Sequence, residues 1–257
     1  MSIRRHTLYV LRMTEHPLEH TAASPLPDTG REEPLSRTLV LSTALAIIDE
    51  EGADGLSMRR LGKALDRNPM TLYRYAANKA ALLDGVVERV LEQLVIEPSD
   101  ADWRDQLHAV AYQYRRLALD HPNVVPLLVT RPLSTPLGLR PPGTLRYLEA
   151  VLELLIDAGF SPKDALHIFR AVFGFLNGHI LNELQEVVEN PEETDDLLRL
   201  GLHRLPLTEF PRLRSMATIM AHYDGQDELE RGLRILLDGL ATVFPPTEVA
   251  SPTLPIT

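Results

Sequence analysis

Apolar residues recur at three- and four-residue spacing along most of this chain, and no segment of useful length alternates with the period of two that a strand needs. From Ser36 onward, Leu41, Ala44, Leu45, Ile47 and Ile48 mark one helical face, with Gly52 suited to its C-cap. Ser57 suits the N-cap of a short second helix with Leu61, Ala64 and Leu65 inward and Arg59, Arg60 and Lys63 outward. Asp66-Arg67-Asn68 is too short and polar to be helix, and Asp and Asn both tolerate the left-handed turn conformation. Pro69 suits the first turn of a third helix running to about Tyr75. A fourth is expected over 79–96, with Leu82, Leu83, Val86, Val87, Val90, Leu91 and Leu94 on its apolar side.

Beyond residue 98 acids dominate and the helices lengthen. Asp102 can cap a helix over 103–120, stopped by His121-Pro122. The stretch 131–142 holds four prolines and is expected to be loop at least in part. Helices then fit 144–158, ended by Gly159, and 162–188, with Ser161 as its cap, followed by an acidic connection over 189–196. A shorter helix near 209–222 and a last one over 227–243 complete the body. Residues 1–34 and 245–257 carry prolines without a sustained period and are expected to be disordered tails. The expected architecture is all-α, with a small head at 35–95 and a larger helical body at 96–244.

Composition changes this picture little, and charge changes it a good deal. At 257 residues, 44% apolar and 24% charged, the chain has ordinary globular composition and enough length for a real core. No apolar run approaches 18 residues, so no spanning helix and no membrane partner are expected. The N-terminus lacks the apolar core and cleavage site of a signal peptide, and Met13 is an alternative start. Without cysteine there are no disulfides, thiolate nucleophiles or cysteine-ligated metals, which fits a reducing cytoplasm. The net charge of −10 is unpromising for a nucleic-acid partner until its distribution is seen. Residues 56–79 hold Arg59, Arg60, Lys63, Arg67, Arg74 and Lys79 against Asp66 alone, a net of +5, so the rest carries −15. One end seeks phosphate and the other avoids it.

Two short helices joined by a three-residue turn, basic outside and locked by Leu56, Leu61, Leu65 and Leu72, make a helix-turn-helix. The exposed face of its second helix would offer Met70, Thr71, Tyr73, Arg74 and Tyr75 to a major groove. Lys79, opening the next helix, would hold phosphate together with backbone amides. A small three-helix bundle in which the tyrosines simply pack is the alternative.

The segments Leu56-Ser57-Met58-Arg59-Arg60-Leu61-Gly62, Pro69-Met70-Thr71-Leu72-Tyr73-Arg74-Tyr75 and Asn78-Lys79-Ala80-Ala81-Leu82-Leu83 resemble the DNA-binding domain of the tetracycline-repressor (TetR) family. The second half is similar to the tetracycline-repressor C-terminal domain, through Asp102-Trp103-Arg104, His121-Pro122, Thr130-Arg131-Pro132 and Asp157-Ala158-Gly159-Phe160-Ser161. The resemblance covers roughly 36–243. It implies operator DNA as partner, with Thr71, Tyr73 and Tyr75 on the recognition helix, Arg59 supporting from the second helix and Lys79 on phosphate; Arg60 joins the DNA set as part of the basic face. It implies a ligand pocket in the C-terminal helices and a homodimer through helices 162–188 and 227–243. Gly174 and Gly178, four apart, would allow another helix close approach. Asp66 replaces the family's usual turn glycine, and Ala76 and Ala77 replace bulkier or more polar residues.

In the tetracycline repressors the drug arrives with magnesium held through histidine and carboxylate groups. The corresponding positions here fall at Val95, near Leu128 and at Asn182, which cannot supply that coordination sphere, so no cofactor and no metal are expected. The expected effector is largely apolar, with Trp103, Tyr112, His121, Tyr147, Phe169, Phe173 and Phe175 as pocket candidates, although core packing is the commoner role for each. The function implied is a ligand-responsive repressor. The rival readings are a helical ligand-binding protein that no longer recognises DNA, and an enzyme. No Gly-x-Ser-x-Gly, His-x-x-x-His or phosphate-cradling glycine loop supports the last.

Overall fold

The computed structural model describes residues 35–97, 99–186 and 188–246, leaving aside the side chains of 132–134. The expected tails at 1–34 and beyond 246 therefore lie outside the described residues. Every regular element among the described residues is a helix.

The head begins with α1 (Arg37–Gly55), whose N-cap Ser36 accepts from the Leu39 amide. Gly52, at φ 74° and ψ 173°, interrupts it where the C-cap is expected. Ser57 caps α2 (Met58–Ala64) through the Arg60 amide, Asn68 caps α3 (Pro69–Leu72) through Met70, and Asn78 caps α4 (Lys79–Leu91) through Ala81. Between α2 and α3, Asp66 takes φ 51°, the one non-glycine residue in the left-handed region among the described residues. Gly62 permits the tight return of the chain, since a Cβ there would meet the Arg67 carbonyl and the Pro69 ring. Leu56, Leu61 and Leu72 are fully buried, and Leu65 packs against them partly exposed.

The body comprises α5 (Trp103–Asp120), α6 (Val125–Ser134), α7 (Gly143–Asp157), α8 (Pro162–Gln185), three short helices α9 (Asp196–Arg199), α10 (Pro211–Ser215) and α11 (Ala217–Ala221), and α12 (Gly225–Val243). Helix α4 packs on α1, α6 and α7, α7 packs on α8, and α8 packs on α5 and α12. Helices α8 and α12 run antiparallel, with Gly225 beside Glu183 at one end and Phe244 stacked on His167 at the other. Buried side chains from α1 to α12 form one continuous cluster.

Several boundaries differ from expectation. Helix α4 stops at Leu91 rather than 96, because Gln93 and Leu94 turn back onto the carbonyls of Val90 and Leu91 in a tightened last turn. Helix α8 ends at Gln185, short of 188, and α12 starts at Gly225, earlier than 227. The expected helix over 209–222 is two short ones, broken at Met216. Helix α6 enters the proline-bearing stretch after a single 3-10 turn (Pro122–Val124), and Pro126 sits in its first turn, where a missing amide costs nothing.

Candidate nucleic-acid interface and effector region

The caps and turn of the head fix which side chains reach solvent. Met70 is 71% exposed and Tyr73 46% exposed, and Arg59, Lys63 and Arg74 are exposed beside them. Thr71 is half-buried on α3, and Lys79 is half-buried at the start of α4, where a helix of 13 residues presents its first amides. A flexible apolar side chain, hydroxyl groups and several cations are thus exposed or half-exposed on α2, α3 and the turn after it, the kinds of group that meet base edges and phosphates.

Two residues expected on that surface are engaged elsewhere. Arg60 gives Nε (2.9 Å) and Nη2 (2.5 Å) to Glu51 Oε1 at the end of α1, and the Glu51 hydrogen bond raises its pKa. Tyr75 donates its hydroxyl to the Leu35 carbonyl at 2.7 Å and packs against the core.

In the body, Tyr147, Phe169 and Phe173 come together, with ring centroids 4.6 Å apart for Phe169–Phe173 and 5.3 Å for Tyr147–Phe173. Tyr114 joins them edge-on to Phe173 at 5.6 Å and donates its hydroxyl to Asn177 Oδ1 at 2.7 Å. Burial pushes both the Tyr114 and Tyr147 phenols up. Tyr112 lies apart from this cluster; burial raises its pKa, and Glu230 adds to the shift. Phe175 lies tilted against His179 on α8, ring centroids 5.9 Å apart, and abuts Gly232 of α12. His121 lies outside the aromatic cluster as well, its Nδ1 2.9 Å from Asp49 Oδ2 on α1. Trp103 is T-shaped against Phe160 at 5.0 Å and borders an open cavity of about 550 Å³ with Ile96, Gln106 and Leu154.

Other polar contacts in the body had no sequence signal. Arg115 clasps Glu183 through two hydrogen bonds across 68 residues, and His179 Nε2 is buried 3.5 Å from the same carboxylate. Tyr114 and Asn177 could have been suspected only as polar residues set among apolar ones on their helices. Val95 and Asn182 are exposed, and Leu128 is buried and apolar.

Comparison with known proteins matches residues 40–86 to the bacterial regulatory proteins of the tetR family and residues 97–244 to the tetracyclin repressor-like C-terminal domain. The tetracycline repressor protein class C of Escherichia coli is 30% identical over 210 residues, covering 80% of this chain and 90% of its own. The HTH-type transcriptional repressor DrrR1 of Streptomyces coeruleorubidus is 29% identical, covering 83% of this chain and 80% of its own. Among solved structures, the TetR family protein ActR of Streptomyces coelicolor in complex with actinorhodin superposes with a TM-score of 0.68 at 29% identity, covering 82% of this chain and 98% of its own. The chain belongs to the tetR family of bacterial regulatory proteins and is a ligand-responsive, DNA-binding transcriptional regulator.

Proposed function

We propose that this regulator is a repressor that grips a roughly palindromic operator through two heads and releases it when a largely apolar small molecule enters the body. The observation that carries the reading is the exposed set of Met70 on α3 and Tyr73 and Arg74 in the turn that follows it, since the helix expected to reach about Tyr75 ends at Leu72, together with exposed Arg59 and Lys63 on α2 and half-buried Lys79 at the start of α4. Met70, Thr71, Tyr73 and Arg74 are assigned to base edges, and Arg59 and Lys79 to phosphate. Arg60 and Tyr75 are assigned to holding the head together, because their polar groups already have partners. The head is taken as 35–95 and the body as 96–244. Regulation needs no chemical step by the protein, and none is assigned; the cytoplasm, where the DNA lies, is its place of action.

Two heads must span successive major grooves, about 34 Å apart, so one chain is insufficient. The pairing surface we assign is α8 with α12, where Gly174, Gly178 and Gly239 have open space over them and Ile235 and Val243 are 75% and 68% exposed. The effector is assigned to the region of Tyr114, Tyr147, Phe169 and Phe173, an aromatic cluster with few polar groups. Val95, Leu128 and Asn182 offer neither carboxylate nor histidine, which supports an effector that needs no metal.

A selected duplex and a folded Lys79→Ala, Tyr73→Ala double variant test the DNA assignment. Binding should fall steeply, and its salt dependence should flatten by about one phosphate contact. Unchanged affinity would sink it and favour a ligand-binding protein that has lost its operator. Release that requires magnesium and stops in EDTA would overturn the metal-free effector.

A further inference from the structure

Glu88 and Thr144 are both buried, and Glu88 bonds the backbone amide next to Thr144 at one junction. Glu88 lies in the last turn of α4, the helix that leads from the head into the body. Its Oε1 accepts from the Gly143 amide at 3.0 Å, and its Oε2 accepts from Arg37 Nη2 at 2.7 Å. Gly143 is the first residue of α7, and α7 has no side-chain cap from its own flanking residues. The next amides there turn back on the carbonyls of Pro141 and Pro142, and the Thr144 hydroxyl donates to Pro141. A carboxylate at a helix N-terminus satisfies an orphan amide and opposes the helix dipole. The cap of α7 is therefore supplied by another helix. Close approach is required, since a Cβ at position 143 would collide with the Glu88 side chain and meet Glu92 Oε1.

The other oxygen faces the head. Arg37 opens α1, two residues after Leu35, and the Leu35 carbonyl accepts the Tyr75 hydroxyl from just beyond α3. A chain of direct contacts thus runs from the end of the recognition helix through Tyr75, Leu35, Arg37 and Glu88 to the first amide of α7. We infer that Glu88 is a positioning residue that couples the DNA-binding head to the effector half, by capping α7 while it holds the start of α1. This rests on the DNA-binding reading above. If α7 moves to admit a ligand, the Gly143 amide leaves Oε1 and a buried carboxylate loses half its partners; the penalty falls on the position of α4 and, through Arg37, on the head.

The test is amide hydrogen exchange on the full chain, alone and with a duplex selected from a random library. In the wild type the duplex should slow exchange across 143–147 by about fivefold or more, the lower end of ordinary allosteric coupling. Glu88→Val should abolish this remote protection while the head's own protection on DNA survives. Glu88→Gln keeps an oxygen for the Gly143 amide and should restore part of it. Without DNA, Arg37→Ala should speed exchange at 143–147, and this effect should vanish in the Glu88→Val background. Should Glu88→Val fail to fold, Arg37→Ala and Tyr75→Phe, both remote from α7, should each still speed exchange there. Equal duplex-dependent protection in wild type and Glu88→Val, or no response of 143–147 to Arg37→Ala, would overturn the inference. If no duplex is selected, the DNA-binding reading fails and the DNA-free comparison decides this one.

Discussion

The head and the body start their helices in different ways. In the head, Ser36, Ser57, Asn68 and Asn78 each cap the helix that follows, within three residues of themselves. In the body, Asp102, Ser161, Asp195 and Asp224 do the same for α5, α8, α9 and α12, but α6, α7, α10 and α11 begin with no such bond. A locally capped helix has its start written into its own residues, whereas an uncapped one depends on what it packs against. Every head helix thus carries its own start in local sequence, while half of the body's helices take theirs from tertiary packing.

The comparison breaks most sharply if the head survives loss of its packing. Leu72 is the buried residue of the four-residue α3, and Leu72→Ala should cost about 2–5 kcal/mol. Duplex binding should disappear while far-ultraviolet circular dichroism retains the helices of the body; retained binding would show that α3 is held by something other than this leucine. Removing two head caps together, Ser57→Ala with Asn78→Ala, should cost about 2 kcal/mol, read from the shift in denaturant midpoint at unchanged slope, since each cap is worth about 1 kcal/mol.

Effects in the body should be smaller. Tyr114→Phe leaves Asn177 Oδ1 without its donor and should cost about 1 kcal/mol at neutral pH. Burial raises the Tyr114 and Tyr147 phenols, so the folded state holds these protons more tightly than the unfolded one. Their contribution to stability is intact below about pH 10, the unfolded value, and is lost as pH rises beyond it. Alkaline unfolding followed at the tyrosinate absorbance should therefore be less steep in Tyr114→Phe. The smallest effect returns to the head. Asp66→Gly relieves a left-handed aspartate at φ 51° and should stabilise by a fraction of about 1 kcal/mol. It also removes the one acid from the basic segment and should tighten binding to every duplex about equally, checked as an unchanged sequence preference.

The same contrast explains what the sequence made legible. Several capped helices start where the sequence places them, since Ser36, Ser57, Asp102 and Ser161 are local signals, and Gly52 and Asp66 carry the backbone conformations expected of them; α12, capped by Asp224, starts before the expected 227, and α9, capped by Asp195, follows a stretch read as a connection. Helix α6 was missed because it has no cap, begins from a 3-10 turn and sits among prolines that usually interrupt helices. The expected surface of the recognition helix omitted two facts that only tertiary structure supplies. Glu51 draws Arg60 aside, and the Leu35 carbonyl, 40 residues upstream, takes the Tyr75 hydroxyl. The partner of His121 was hidden for a like reason: its Nδ1 lies 2.9 Å from Asp49 Oδ2, 72 residues away, which no local pattern announces.

The uncovered glycines of α8 and α12 bear on how the stability of this protein should be measured. With open space above Gly174, Gly178 and Gly239 and with Ile235 and Val243 facing outward, the single chain leaves apolar area unclaimed that a second copy would remove from water. Folding and pairing then share one equilibrium, and the melting temperature becomes a function of protein concentration. A tenfold dilution would lower it, and a variant comparison made at two different concentrations would report mass action as though it were mutation.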